Sequence, residues 1–255
     1  MKKIIISLIC VILLILGFTV SIAAAESEFS WYIKRNGNSQ PQIQDQQKII
    51  YEYDGYFIDK KLSDDSSEKK IYLTFDLGYS NENVERILET LREENVPAAF
   101  FILDNIILKN CDLVTEMIND GHLVCNHTKN HKNLSSASEE EIKSNILGLE
   151  DLYLEKIGCP MSKYFRFPEG RYSEHALKCV QSLGYKTVFW SFAYADWDNG
   201  AQPNTKSALE KVLKNTHNGG IFLFHPTSKT NAEIFPSLIS KWRELGYSFG
   251  TLHEL

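Results

Sequence analysis

From Lys70 onward the chain alternates short apolar runs with longer segments whose apolar residues return every three or four positions. IYLTF, AAFFIL, HLVCN, KYFRF, KTVFW, IFLF and YSFGTL have strand length. Between them, NVERILETLREEN, CDLVTEMINDG, SEEEIKSNILGLEDLYLEKIG, SEHALKCVQSLG, SALEKVLKNTHNG and FPSLISKWRELG carry a helical period. Strand-sized and helix-sized pieces taken in turn predict parallel strands joined by crossover helices. Gly121, Gly158, Gly184 and Gly246 fall near helix ends, where a left-handed C-terminal cap favours glycine. A closed barrel and an open doubly wound sheet both fit this beat.

The segment before Lys70 reads differently. Residues 26–69 are polar and uneven, with RNGNSQPQIQDQQ and KKLSDDSSEKK, and the aromatics of SWY and YEYDGYF stand out as anchor points. They predict an arm packed on a domain spanning 70–255. Residues 1–25 have Lys2 and Lys3, an apolar run from Ile4 to Leu16 that continues to Val20, and Ala23-Ala-Ala25 before Glu26. Those are the parts of a secretory signal, cleaved after Ala25 or retained as a membrane anchor. Either way the domain is expected to be exported and to work outside the cytoplasm, at the cell wall or membrane. Cys10 follows Ile9 rather than a small residue, which argues against lipidation.

Composition narrows the class further. With 255 residues and 43% hydrophobic positions, one large domain with a sizeable core is expected rather than a disordered chain. Removing Lys2 and Lys3 from the 27 basic residues leaves 25 against 33 acidic, a net charge of -8, so nucleic acid is not an expected partner. Cys111, Cys125, Cys159 and Cys179 match no zinc-knuckle spacing and read best as buried free thiols.

The polar residues at strand ends decide the architecture. Asp76 closes the first strand before Gly78, as a helix cap or as a base. His127 and His131 follow the third; four apart on one helical turn, both would face one divalent cation, although such pairs are often plain surface or core histidines. Thr128 after the first histidine argues against a zincin peptidase. Arg166 emerges in YFRFPEGRYSE, as a salt-bridge partner or as the group that holds Asp76 ionised. Asp196 and Trp197 form a turn, or support a histidine and wall a sugar ring. His225 ends IFLFH as a core or catalytic imidazole. Unusual polar residues at the C-terminal ends of several strands favour a distorted (β/α) barrel of about seven repeats, TIM-barrel-like.

In order, TFDLG, HTKNH, RFPEG, ADW and FLFH resemble the five motifs of the polysaccharide deacetylase (NodB-homology) family, over residues from about Lys70 to Leu255. WYIKRNGNSQPQ, TFDLGYSN, WSFAYADW and HPTSKTNAEI look most like its delta-lactam-forming muramic-acid deacetylases of spore formers. The resemblance implies a monomeric hydrolase that removes N-acetyl groups from peptidoglycan glycan strands, N-acetylmuramic acid of spore cortex above all. Alternatives are N-acetylglucosamine in peptidoglycan or chitin-like oligomers, or a catalytically silent wall-binding homologue. It implies Asp76 as base, Arg166 as its orienting partner, His225 as acid and Asp196 as the support of His225. Trp197, Tyr79 and Pro168 would meet the sugar. A divalent ion, zinc, manganese or cobalt, would sit on His127 and His131, held weakly because Leu77 replaces the carboxylate that paired-aspartate relatives place there.

Overall fold

The computed structural model describes residues 27–255; the expected export segment of residues 1–25 lies outside them. The chain begins with β1 (Phe29–Ser30), β2 (Lys34–Asn36), β3 (Ser39–Gln42), a 3-10 turn over Asp45–Tyr53 and β4 (Gly55–Tyr56). Then come β5 (Lys70–Leu77), α1 (Glu82–Glu93), β6 (Ala98–Ile102), α2 (Asp104–Lys109), α3 (Cys111–Asn119) and β7 (Leu123–Asn126). α4 (Glu139–Ile157), β8 (Ser162–Phe165), β9 (Arg171–Tyr172), α5 (Glu174–Ser182) and β10 (Lys186–Val188) follow. α6 (Thr205–Lys214), β11 (Ile221–Phe224), α7 (Lys229–Glu244) and β12 (Ser248–Phe249) complete it.

The main sheet is parallel, in the order β11, β5, β6, β7, β8, β10, β4. It curls until the chain beyond β10 meets β11 again through a parallel bridge of Phe192 to Phe222, and the chain just after β4 meets the residue before β11 through an antiparallel one of Ile58 to Gly220. This is the expected distorted barrel. Its last repeat differs: the YSFGTL run forms only β12, which pairs with the first residues of β5 beside the main order. β5 has eight residues and its register with β11 starts at Tyr72, so Lys70 and Ile71 are left for β12. β4, from the polar segment, takes an edge that periodicity did not foretell, because it is only two residues long.

Strand alternation sorts the side chains into layers. Ile71, Leu73, Phe75 and Leu77 of β5 face the helices and join Val84, Ile87, Leu88 and Leu91 of α1 in the largest core. Each fully buried aliphatic there contributes roughly 1.5–3 kcal/mol. Tyr72 faces the barrel interior with Phe101, Cys125, Tyr164 and Val188. A third cluster joins Trp31, Ile50 and Phe57 to Phe165, Phe167, Tyr172 and Phe189. The helices start where sequence chemistry says: Asn81, Ser138, Ser173, Asn204 and Ser228 accept from first-turn backbone N–H groups. The four expected end glycines all have positive φ, from 78° at Gly184 to 86° at Gly246. Of the four cysteines expected to be buried, Cys125 and Cys179 are, whereas Cys111 and Cys159 are only half-buried.

Candidate active site

Register explains why distant residues meet. β11 and β5 pair Phe224 with Phe75, so the next residue of each, His225 and Asp76, leaves adjacent strands at one rim. β7 and β8 pair Asn126 with Phe165, so His127 and Arg166 leave side by side. Asp76, His127, His131, His225, Tyr79 and Trp197 all line one cleft of ≈ 720 Å³ at that rim.

Arg166 ties the two strand pairs together across the barrel. It is fully buried, and its Nη1 donates to Asp76 Oδ1 at 2.8 Å. Nη2 donates to Thr74 Oγ1 at 2.9 Å, Nε to the Val188 carbonyl at 2.9 Å, and the guanidinium lies 4.1 Å from the centre of the Phe101 ring. Burial pushes the Asp76 carboxyl up, but the Arg166 charge above all, with His225 and the Arg166 hydrogen bond, outweighs it and holds the group below the ordinary carboxylate range. With Oδ1 committed to Arg166, Oδ2 lies 3.5 Å from His127 Nε2.

His127 is buried, and its Nδ1 donates to the Arg166 carbonyl at 2.9 Å, leaving Nε2 as the acceptor nitrogen. Burial pushes it down to about 4, against the pull of Asp76, so the ring is neutral at physiological pH. His131 meets it edge to face, 5.0 Å between ring centres, but not on a helical turn as the spacing predicted. Thr128 and His131 have φ of 70° and 58°, left-handed positions that break any helix. Asn126 Oδ1 accepting from Thr128 N–H and the Lys129 carbonyl accepting from Asp104 N–H hold the loop instead. Two imidazoles, one neutral and oriented through its far nitrogen by a carbonyl, are suited to a divalent cation. Among the described residues no group of three or more His, Cys, Asp or Glu gathers as a ligand cage. Leu77 is fully buried in the layer facing the helices, away from the barrel interior.

On the neighbouring strand end, Asp196 Oδ1 accepts from His225 Nδ1 at 2.7 Å. Burial lowers the proton affinity of His225, yet the hydrogen bond and charge of Asp196, aided by Asp76, raise it above the usual imidazole value. Asn231, inside HPTSKTNAEI but with no site role expected from the sequence, donates from Nδ2 to Asp196 Oδ2 at 2.7 Å and takes the Tyr194 hydroxyl on Oδ1. A polar residue in the first turn of a helix carries no sequence signal by itself. Trp197 and Tyr79 are 59% and 50% exposed at the mouth, with the Trp197 ring 6.0 Å from that of His225. Pro168 corrects the expectation: it is buried in a 3-10 turn, and Glu169, at φ 57°, lines the cleft in its place. Proline fits the first position of that turn, and the positive φ of the next residue carries the carboxylate outward.

The polysaccharide deacetylase family profile matches residues 63–188. Peptidoglycan-N-acetylmuramic acid deacetylase PdaA of Bacillus subtilis is 31% identical over 252 residues, 98% of this chain and 94% of that protein. The chain belongs to the polysaccharide deacetylase family. A peptidoglycan-N-acetylglucosamine deacetylase of Bacillus cereus is 31% identical over 193 residues, covering 74% of this chain and 89% of that one. The structure of Bacillus subtilis PdaA, described as a family 4 carbohydrate esterase, superposes with a TM-score of 0.83 at 31% identity, covering 90% of this chain and 97% of the other. The fold is thus that of these esterases, and the chain is a deacetylase, a hydrolase of acetyl groups on polysaccharide.

Proposed function

We propose that the protein removes the N-acetyl group of amino sugars in peptidoglycan, with N-acetylmuramic acid as the preferred sugar and muramic delta-lactam as the destination of the product. Support comes from the likeness to PdaA over nearly the whole chain and from one observation above the rest. An Arg-held carboxylate and an Asp-held imidazole line a single cleft from adjacent strand ends, near enough that each charge moves the proton affinity of the other. Amide hydrolysis needs that pair: a base to take a proton from water and an acid to give one to the departing amine.

Asp76 Oδ2 accepts the water proton, since Arg166 occupies Oδ1 and keeps the group ionised. His225, protonated and steered by Asp196 on Nδ1, presents Nε2–H to the amine nitrogen. Trp197 and Tyr79 offer aromatic faces for the sugar ring. A divalent cation on His127 Nε2 and His131 would polarise the acetyl carbonyl and steady its growing negative charge. Glu169 stands at the mouth, within reach of sugar hydroxyls. The protein acts on the cell-wall side of the membrane.

Mass spectrometry of peptide-stripped glycan strands incubated with the protein and a panel of divalent ions tests the reading. Loss of one acetyl from the muramic residue, followed by loss of water, supports the whole assignment. Acetyl loss confined to N-acetylglucosamine moves the substrate to the other sugar, and tight strand binding with no acetate under any ion leaves a silent wall-binding homologue.

A further inference from the structure

The catalytic cleft has a neighbour at its rim. Trp190 and Ala193, which wall it, also wall a neighbouring groove of ≈ 430 Å³ whose other side is Trp31, Tyr32, Ile33 and Arg35. That side is held firmly. Trp31 Nε1 donates to the Trp190 carbonyl at 2.9 Å, its ring stacks on Phe189 at 4.3 Å, and its backbone N–H donates to the Gly170 carbonyl at 2.8 Å. Gly170 is required there, because a Cβ would come within 2.7 Å of Trp31 Cβ and 2.9 Å of Trp190 Cη2. Tyr32 is left 58% exposed.

Arg35 is aimed along this groove. Its Nη2 donates to the Ala193 carbonyl at 2.6 Å and its guanidinium lies 5.3 Å from the Phe192 ring centre. Arg92, Arg166, Arg171 and Arg243 each pair with a carboxylate; Arg86 bonds the Asn83 amide and Arg35 the Ala193 carbonyl, and among the described residues neither has a carboxylate partner. An oriented guanidinium with free N–H donors, in a groove that shares the walls Trp190 and Ala193 with the reaction cleft, matches a carboxylate carried by the substrate.

We propose that the groove between the 31–35 segment and the 190–193 segment is a second sugar subsite, where Arg35 pairs with a carboxylate on the glycan strand whose acetyl group lies in the catalytic cleft. The occupant is an acid-bearing amino-sugar polymer, and a neutral chitin-like strand lacks the group that Arg35 reads. This rests on the deacetylase reading above and adds the source of its preference for an acidic strand.

Isothermal titration calorimetry would compare the wild type, Arg35→Gln and Arg35→Lys on peptide-stripped peptidoglycan strands and on the same strands with every carboxylate reduced to an alcohol. The wild type binds the acid-bearing strands about tenfold more tightly than the reduced ones, the scale of one charge-assisted hydrogen-bonded pair. Arg35→Gln binds both strands with the affinity of the wild type for reduced strands, and Arg35→Lys regains part of the preference. A wild type indifferent to reduction, or an Arg35→Gln protein that keeps the preference, overturns the subsite. Acetate is followed in the same samples: release without carboxylate preference removes the subsite alone, whereas preference without release removes the deacetylase reading and leaves the subsite standing. Since Arg35 is exposed, all three proteins should share one melting temperature.

Discussion

Asp196 holds His225 twice, accepting from the ring Nδ1 at 2.7 Å on one carboxylate oxygen and from the backbone N–H at 2.9 Å on the other. Ring orientation and backbone position are therefore set by one buried group, itself steadied by Asn231. In Asp196→Asn the charge that raises the proton affinity of His225 is gone. An acid is active only while protonated, so the high-pH limb of kcat moves to lower pH and kcat falls by about 10²-fold or more. The sign for stability is the same: a raised histidine stabilises fully below about 6.5 and loses that contribution as pH rises through its folded value. Acetate release and urea unfolding against pH would both show it.

Asp76→Asn strikes two properties at once. Turnover falls by about 10²–10⁴-fold with loss of the base. Arg166, fully buried, is left without its counter-charge, which costs about 3–5 kcal/mol of folding stability. The wild-type carboxylate, depressed in the fold, stabilises above its unfolded value near 4 and loses that as pH falls through its lower folded value. A variant that hydrolyses at the parent rate would show that Asp76 is not the base.

His122 is buried against Phe100, with no hydrogen-bond partner on either ring nitrogen among the described residues. Burial pushes it down to about 4. A lowered histidine is silent above about 6.5 and opposes folding as pH falls from there toward its folded value. At pH 5 His122→Leu should therefore retain roughly 2 kcal/mol that the parent loses between neutrality and that pH, read as a flatter plot of unfolding free energy against pH.

Leu77→Asp restores a carboxylate at the position where paired-aspartate relatives carry one. Because Leu77 packs in the layer between sheet and helices, the new charge is buried without a partner and stability drops by several kcal/mol. A melting temperature that rises on adding divalent ion would show instead that the strand end turns the carboxylate into the cleft.

Chelation should stop acetate release and added divalent ion should restore it. His131→Ala should raise the half-saturating ion concentration at least about tenfold, since one of two imidazole donors is lost. An unchanged titration curve would remove His131 from the ion site.

Much of this was readable from local pattern. Strands buried on both faces appear as unbroken apolar runs, helices with one buried face repeat every three to four residues, and turn glycines announce helix ends. The five strand-end residues were visible for the same reason: a charged or imidazole side chain after an apolar strand is a local anomaly. Motif position alone does not say which of Pro168 and Glu169 faces the cleft; backbone torsion buries the proline and turns Glu169 outward. Thr74 and Asn231 lie inside TFDLG and HPTSKTNAEI, yet neither is anomalous where it stands; each matters through a partner 92 and 35 residues away, Arg166 and Asp196 respectively.

The order of residues along the chain thus determined the alternating elements, the rim on which polar groups emerge, and their chemical kinds. The tertiary structure decided the pairings: Arg166 with Asp76, Asp196 with His225, the His131 ring with that of His127, and Arg35 with the Ala193 carbonyl beside the cleft. Periodicity is a property of neighbours in sequence. Proton affinity and orientation depend on what the curl of a barrel brings within a few ångströms, and that closure sums every strand register at once.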